Sequence, residues 1–197
     1  MAIVINGSGT VTGLAVGGLP DGTVDAGTLA TDSVTSAKLE ASAITVGDLP
    51  AGSVLQVTQG MTNSAVSTTS TTHVDTGLTG SITPTSASST ILVTVTQLLS
   101  SSNSSRSSGT DVKLLRGSTL ILDDGNGSGY GSFYRDINIS GITNIDTGAV
   151  VAFSYIDSPS TTSATTYKTT GRSHTGDNVR FQGFGGYSVI TLTEIAG

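Results

Sequence analysis

Residues 14–54, LAVGGLPDGTVDAGTLATDSVTSAKLEASAITVGDLPAGSV, place a large aliphatic residue at every fifth position: Leu14, Leu19, Val24, Leu29, Val34, Leu39, Ile44, Leu49 and Val54. Neither regular structure repeats at five. On a helix, five residues advance a side chain by well over a turn, so the series winds around the axis; on a strand, an odd step sends successive members to opposite faces. A straight element therefore cannot bury them on one side. Read in tens, the segment becomes residues 22–31 (GTVDAGTLAT), 32–41 (DSVTSAKLEA) and 42–51 (SAITVGDLPA), each with a β-branched residue third and a leucine eighth. A small or turn-forming residue (Gly17, Gly22, Gly27, Asp32, Ala37, Ser42, Gly47, Gly52) stands two places before most of the apolar ones, so the unit reads as a bend repeated.

Two aliphatic side chains per ten residues return less on burial than the ordering of ten backbone residues costs, so a single copy of such a chain has no reason to fold. Identical copies wrapped about one axis would share a thin core. The favoured expectation is accordingly an intertwined homotrimeric shaft over residues 14–52. A pentapeptide-repeat β-helix within one chain and a polar linker with accidental periodicity are the other readings.

Outward from the repeat, Pro50, Ala51 and Gly52 punctuate its end and two-residue alternation begins at residue 53. Residues 53–197 read as a C-terminal domain of short strands, none much longer than nine residues, with no amphipathic helix. Strands are expected near residues 53–59, 77–83, 91–99, 112–115, 119–122, 132–139, 150–156, 164–170, 178–182 and 188–195. Residues 116–118 (RGS) form a hairpin turn. The tract at 100–110 (SSSNSSRSSGT) is polar enough to predict a surface loop or disordered tip. The fold class is all-β: a short N-terminal repeat shaft followed by a jelly-roll-like β-sandwich.

Composition narrows function. Only 11% of the 197 residues are charged and the formal charge is −6, with eight Lys and Arg in all. That argues against a nucleic-acid partner, because phosphate binding needs clustered cations. There is no cysteine, so disulfides and the usual zinc sites are excluded. The N-terminal residues have no basic region and no apolar run long enough for a signal peptide or membrane helix, so neither secretion by that route nor membrane insertion is expected. The surface should be rich in hydroxyls, a chemistry suited to sugars and to repeated packing.

Catalytic, cofactor and metal sites are not expected. Ser173, His174 and Asp177 share one short loop, too close in sequence for triad geometry, and His73 reads as the start of a strand. Residues 124–129 (DGNGSG) resemble half a calcium loop, but the twelfth position is Arg135 where a bidentate glutamate belongs. No two of the fourteen acids are visibly paired for glycoside hydrolysis. All nine aromatic residues lie between Tyr130 and Tyr187. Tyr130, Tyr134, Tyr167 and Lys168, with Arg106 in the serine tract, supply faces and donors for sugar rings and are the candidate receptor contacts; packing within the sandwich is the other reading of Tyr134 and Tyr167.

The repeat run at residues 22–52 resembles the shaft segments of bacteriophage tail fibre proteins. The phrases at 74–95 (VDTGLTGSITPTSASSTILVTV), 114–121 (LLRGSTLI), 152–168 (AFSYIDSPSTTSATTYK) and 188–197 (SVITLTEIAG) are similar to the C-terminal domains of fibres from phages of aquatic bacteria and cyanobacteria. The resemblance implies a homotrimeric structural protein of the virion, made in the host cytoplasm. Residues 1–13 would attach to other virion proteins of the baseplate, tail or capsid, and the distal β-domain would bind a host glycan or outer-membrane component. It offers no catalytic motif. Such fibres are usually several hundred residues long, so a capsid decoration, cement or head-fibre protein without receptor binding is the alternative.

Overall fold

The computed structural model describes residues 29, 31–40, 43–103, 107–123, 133–136 and 145–197. Contacts divide the chain into two units, Met1–Thr45 and Val46–Gly197. Among the described residues the second holds eleven strands: β1 (Val54–Thr62), β2 (Val66–Thr68), β3 (Val74–Ile82), β4 (Thr90–Asn103), β5 (Ser107–Arg116), β6 (Thr119–Leu122), β7 (Phe133–Asp136), β8 (Ile145–Asp157), β9 (Thr165–Ser173), β10 (Asn178–Phe181) and β11 (Ser188–Ile195). No α-helix occurs among the described residues. The sheets are antiparallel and form a β-sandwich, as the alternation of the sequence implies.

The first sheet is built on β4. One edge of β4 pairs with β8 from Ile91↔Asp157 to Asn103↔Ile145; the other pairs with β11 over its first half and with β10 over its second, and β1 and β2 flank these in turn. In the second sheet the order is β3, β9, β5, and both β6 and β7 pair with the far edge of β5. The β5–β6 hairpin turns through Gly117 at φ 59°, where a side chain would be strained.

Inward residues of both sheets make the core. Leu78, Ile82, Ile91, Val93, Val95, Leu114, Tyr167, Ile190 and Leu192 form one apolar cluster, and Leu99, Val112, Val151, Val179 and Phe181 form another. Buried polar groups join the two sheets in the same layer. Thr169 Oγ1 donates to Gln97 Oε1 at 2.7 Å, Thr76 and Thr169 share a 2.6 Å hydroxyl contact, and Gln97 Nε2 donates to Ser188 Oγ at 3.3 Å. The hydrogen-bonding demands of these neighbours orient the Gln182 amide, whose oxygen accepts from Gln97 at 2.6 Å and whose nitrogen donates to the Thr76 and Ser64 carbonyls. A buried network satisfied in this way fixes one register of the sheets. Close approach also demands glycine at Gly171, where an added Cβ would stand 2.3 Å from Phe181 Cζ.

Two expectations need correction. The polar tract is largely strand: β4 continues to Asn103 and β5 starts at Ser107, with 104–106 outside the described residues. Its backbone pairs on both sides, Ser101 with Thr147 of β8 and with Val179 of β10, so the Ser101 side chain buries there without orphaning peptide groups, its Oγ 3.2 Å from Thr147 Oγ1. Strand length was also underestimated, since β4 has 14 residues and β8 has 13. The short β2 escaped the alternation altogether.

Candidate functional surface

The repeat recurs in conformation as well as in sequence. Single 3-10 turns occupy Ser36–Lys38 and Val46–Asp48, ten residues apart, each closed onto the leucine that follows: Leu39 N–H donates to Ser36 O at 3.2 Å and Leu49 N–H to Val46 O at 3.3 Å. The β-branched member, Val34 or Ile44, lies two residues before its turn. Bend and apolar residue thus share one period, which is how a five-residue series escapes the helix and strand geometries. Leu29, Val34, Leu39, Ile44, Leu49 and Val54 are 39–59% exposed in the single chain. Leu14, Leu19 and Val24, like residues 1–13, lie outside the described residues.

At the end of the repeat the chain turns at Ala51 and Gly52, the latter at φ 88°, and joins the sandwich: Gly52 N–H donates to Ala196 O and Ala196 N–H to Ser53 O, each at 2.8 Å. Val54, the last member of the apolar series, opens β1 and pairs with Ile195.

The outer face of the first sheet continues from that point. Register puts Val57, Gln59 and Met61 of β1 beside Thr193, Thr191 and Val189 of β11; these stand beside Leu92, Thr94 and Thr96 of β4, and those beside Ile156, Ser154 and Ala152 of β8. No charged side chain occurs in these rows. Val57, Met61, Val150 and Ile156 are each more than half exposed, and hydroxyls fill the middle, Thr94 and Ser154 within 3.2 Å of one another.

The 182–187 loop stands at one margin of this face. β10 and β11 are collinear against β4, and the loop interrupts them: Gln182 and Phe184 both take left-handed backbone, φ 55° and 58°, while Gln182 N–H donates to Leu98 O at 2.9 Å. Non-glycine residues pay conformational strain there, and the buried Gln182 amide network holds the loop in place. The outcome is a presented aromatic: Phe184 is 68% exposed, over Gly148, and borders an apolar pocket of ≈ 290 Å³ with Leu98, Leu99, Gly148, Ala149 and Val150. Tyr187 is exposed beside it in sequence.

The outer face of the second sheet is ionic. Lys168 pairs with Asp75 and Lys113 with Asp123, each at 2.8 Å, and Arg172 Nε binds the buried Asp111 carboxylate. Burial, and then the cations of Lys113 and Arg172, hold His73 below the ordinary histidine pKa, so it is neutral at pH 7.

These placements sort the receptor candidates. Tyr167 is a correction: it is fully buried, and its hydroxyl donates at 2.7 Å to Asp157 Oδ2, which Arg116 Nη1 also binds at 2.8 Å. Burial first, and then the Asp157 carboxylate, push the Tyr167 pKa upward, so it serves the core and has no free surface for a ligand. Lys168 is partly exposed and engaged with Asp75. Tyr134 pairs with Gly109 in the β5–β7 ladder; Arg106 and Tyr130 lie outside the described residues, as does the 124–129 turn.

The residues Ser173, His174 and Asp177 do not form a catalytic group: Ser173 faces the core at the end of β9, whereas Asp177 accepts from the Thr175 hydroxyl at 2.7 Å. No cluster of three metal-binding side chains occurs among the described residues. None of their helices is long and apolar enough to cross a membrane. The surface that sequence reasoning missed is the outer face of the first sheet, whose signal was the unbroken apolar run AVVAF at 149–153. No protein-family model matches the chain, and no curated protein is similar to it.

Proposed function

We propose that this chain is a structural virion protein, a short homotrimeric tail fibre of a bacteriophage, in which the repeat is an intertwined shaft and the jelly-roll-like β-domain binds the host surface. It acts by assembly and contact rather than by catalysis. Its N-terminal segment docks on other virion proteins, and its distal loops meet a host glycan or outer-membrane component. The observation that carries the reading is the ten-residue conformational repeat whose described apolar members are all exposed in the single chain. Periodic exposed aliphatic residues at repeated bends are unfavourable in a lone copy and become a core when identical copies coil together.

The solution mass of the full chain by light scattering tests this, beside Leu39→Asp. The wild-type chain should have the mass of three copies and the variant that of one, because three carboxylates would meet on a desolvated axis. A monomeric wild-type chain, or a trimeric variant with unchanged melting, would overturn the shared core.

A further inference from the structure

A strand buried on one face alternates apolar and polar residues; one buried on both reads as a continuous apolar run. The stretch AVVAF in β8 is of the second kind, yet in the single chain only one side of β8 is covered. Val151 is buried in the sandwich, while Val150 and Ile156 face outward and are more than half exposed. The opposite margin repeats the pattern, with Val57 and Met61 of β1 exposed. Two apolar rails therefore flank a central hydroxyl strip, and nothing charged interrupts them.

We infer that this face is the contact surface of the β-domain for further copies of the same chain, with the β1 rail of one copy on the β8 rail of the next. The inference rests on the self-assembling reading above and locates it within the β-domain. Three arguments select a second copy as the occupant. The apolar series of the repeat ends at Val54, which pairs with Ile195 on this face, so whatever covers Leu49 and Val54 is continuous with whatever covers the sheet. The rows from β1 to β8 hold no charge; the cation on this side of the sheet, Arg180 of β10, lies past their end opposite Ser100 and donates to Ser67 Oγ, whereas the second sheet carries ion pairs and is suited to water. Its extent suits a ring. Four strands about 4.8 Å apart and roughly eight residues long cover on the order of 500 Å², which side-chain relief and the 182–187 loop enlarge and two neighbours share. Each contact is smaller than the ~800 Å² that one partner gives to a standard interface. Because the two rails are different surfaces, their contact is head-to-tail and closes into a ring when the rotation allows, which a three-fold does.

The absence of cysteine makes a clean test. Thr94→Cys places a thiol in the middle of the face, and Thr166→Cys places one on the outer side of the second sheet; both positions are exposed in the single chain. In the intact full-length protein, alkylation at position 94 should be at least tenfold slower than at 166. A Val57→Cys/Ile156→Cys double variant should oxidise to covalent trimers, while each single variant should not cross-link. Equal alkylation rates in a protein that light scattering shows to be trimeric would overturn this inference and leave the fibre reading standing. Equal rates in a monomer would overturn both. Covalent dimers from a single variant would replace the head-to-tail contact by a two-fold one and overturn it as well.

Discussion

The outer faces of the two sheets are built on one backbone geometry and carry opposite chemistries. On the second sheet, lysine and arginine meet aspartate across neighbouring strands (Lys168 with Asp75, Arg172 with Asp111), and the exposed surface is satisfied by water and by these pairs. On the first, the corresponding rows hold valine, methionine, isoleucine, threonine and serine. Thr94, within β4, and Thr166, second in β9, are both exposed, yet one has apolar rails on both sides and the other has Lys168 two residues away. The Lys168–Asp75, Lys113–Asp123 and Arg172–Asp111 pairs finish one face toward solvent, while the β1-to-β8 rows of the other expose apolar side chains without charge.

The most decisive way to break the contrast is to move a charge across it. Thr94→Lys should reduce the assembled mass to that of one chain in light scattering, while Thr166→Lys should leave it unchanged. Identical masses for the two variants would make the faces equivalent in function. Next in size is the carboxylate between the sheets: Asp157→Ala leaves the Arg116 cation and the Tyr167 hydroxyl without their partner, and chemical denaturation should show a loss of about 3–5 kcal/mol.

Acid sensitivity should follow from Glu194. Burial alone would raise its carboxyl, but hydrogen bonds from Gln56 Nε2 at 2.6 Å and from the Thr85 N–H and hydroxyl at 2.7 Å prevail and hold it below the usual range. A depressed folded-state pKa contributes stability that is complete above the unfolded-state value of 4.5 and is lost as pH falls through the folded value. Melting followed from pH 6 downward should therefore decline below about pH 4.5, by roughly the 1.5–3 kcal/mol of a hydrogen bond to a charged group, and Glu194→Gln should flatten that limb. The smallest effect belongs to the ion pair on the finished face: Asp75→Ala should cost less than about 1 kcal/mol, since both partners are substantially exposed.

Much of the sandwich was legible because alternation is a local signal. β11 was expected at residues 188–195 and spans Ser188–Ile195. The serine tract was not legible, because what stabilises it is remote: β8 and β10 lie some 45 and 80 residues downstream and supply the backbone partners that make buried serine tolerable. Tyr167 could have been placed from its neighbours. Lys168 and Arg172 fix the outward side of β9, so the intervening odd positions Tyr167, Thr169 and Gly171 must point inward. The five-residue bend was legible as a bend, and its 3-10 character was not, since Ser36–Lys38 and Val46–Asp48 share no residue type at equivalent positions. Aromatic identity, on which the candidate contact Tyr167 rests, does not separate a buried ring from a presented one such as Phe184, which is not among the candidates and which left-handed backbone at Gln182 and Phe184 turns outward.

The junction at Gly52 and Ser53 gives the molecule a mechanical property. A load applied along β1 at its N-terminal end is carried by β11, to which β1 is held from Val54↔Ile195 to Thr62↔Ser188. Pulled in that direction, the hydrogen bonds of the ladder are strained together in shear instead of being peeled apart one after another. A load carried in that way rests on the whole ladder at once, not on its first bond.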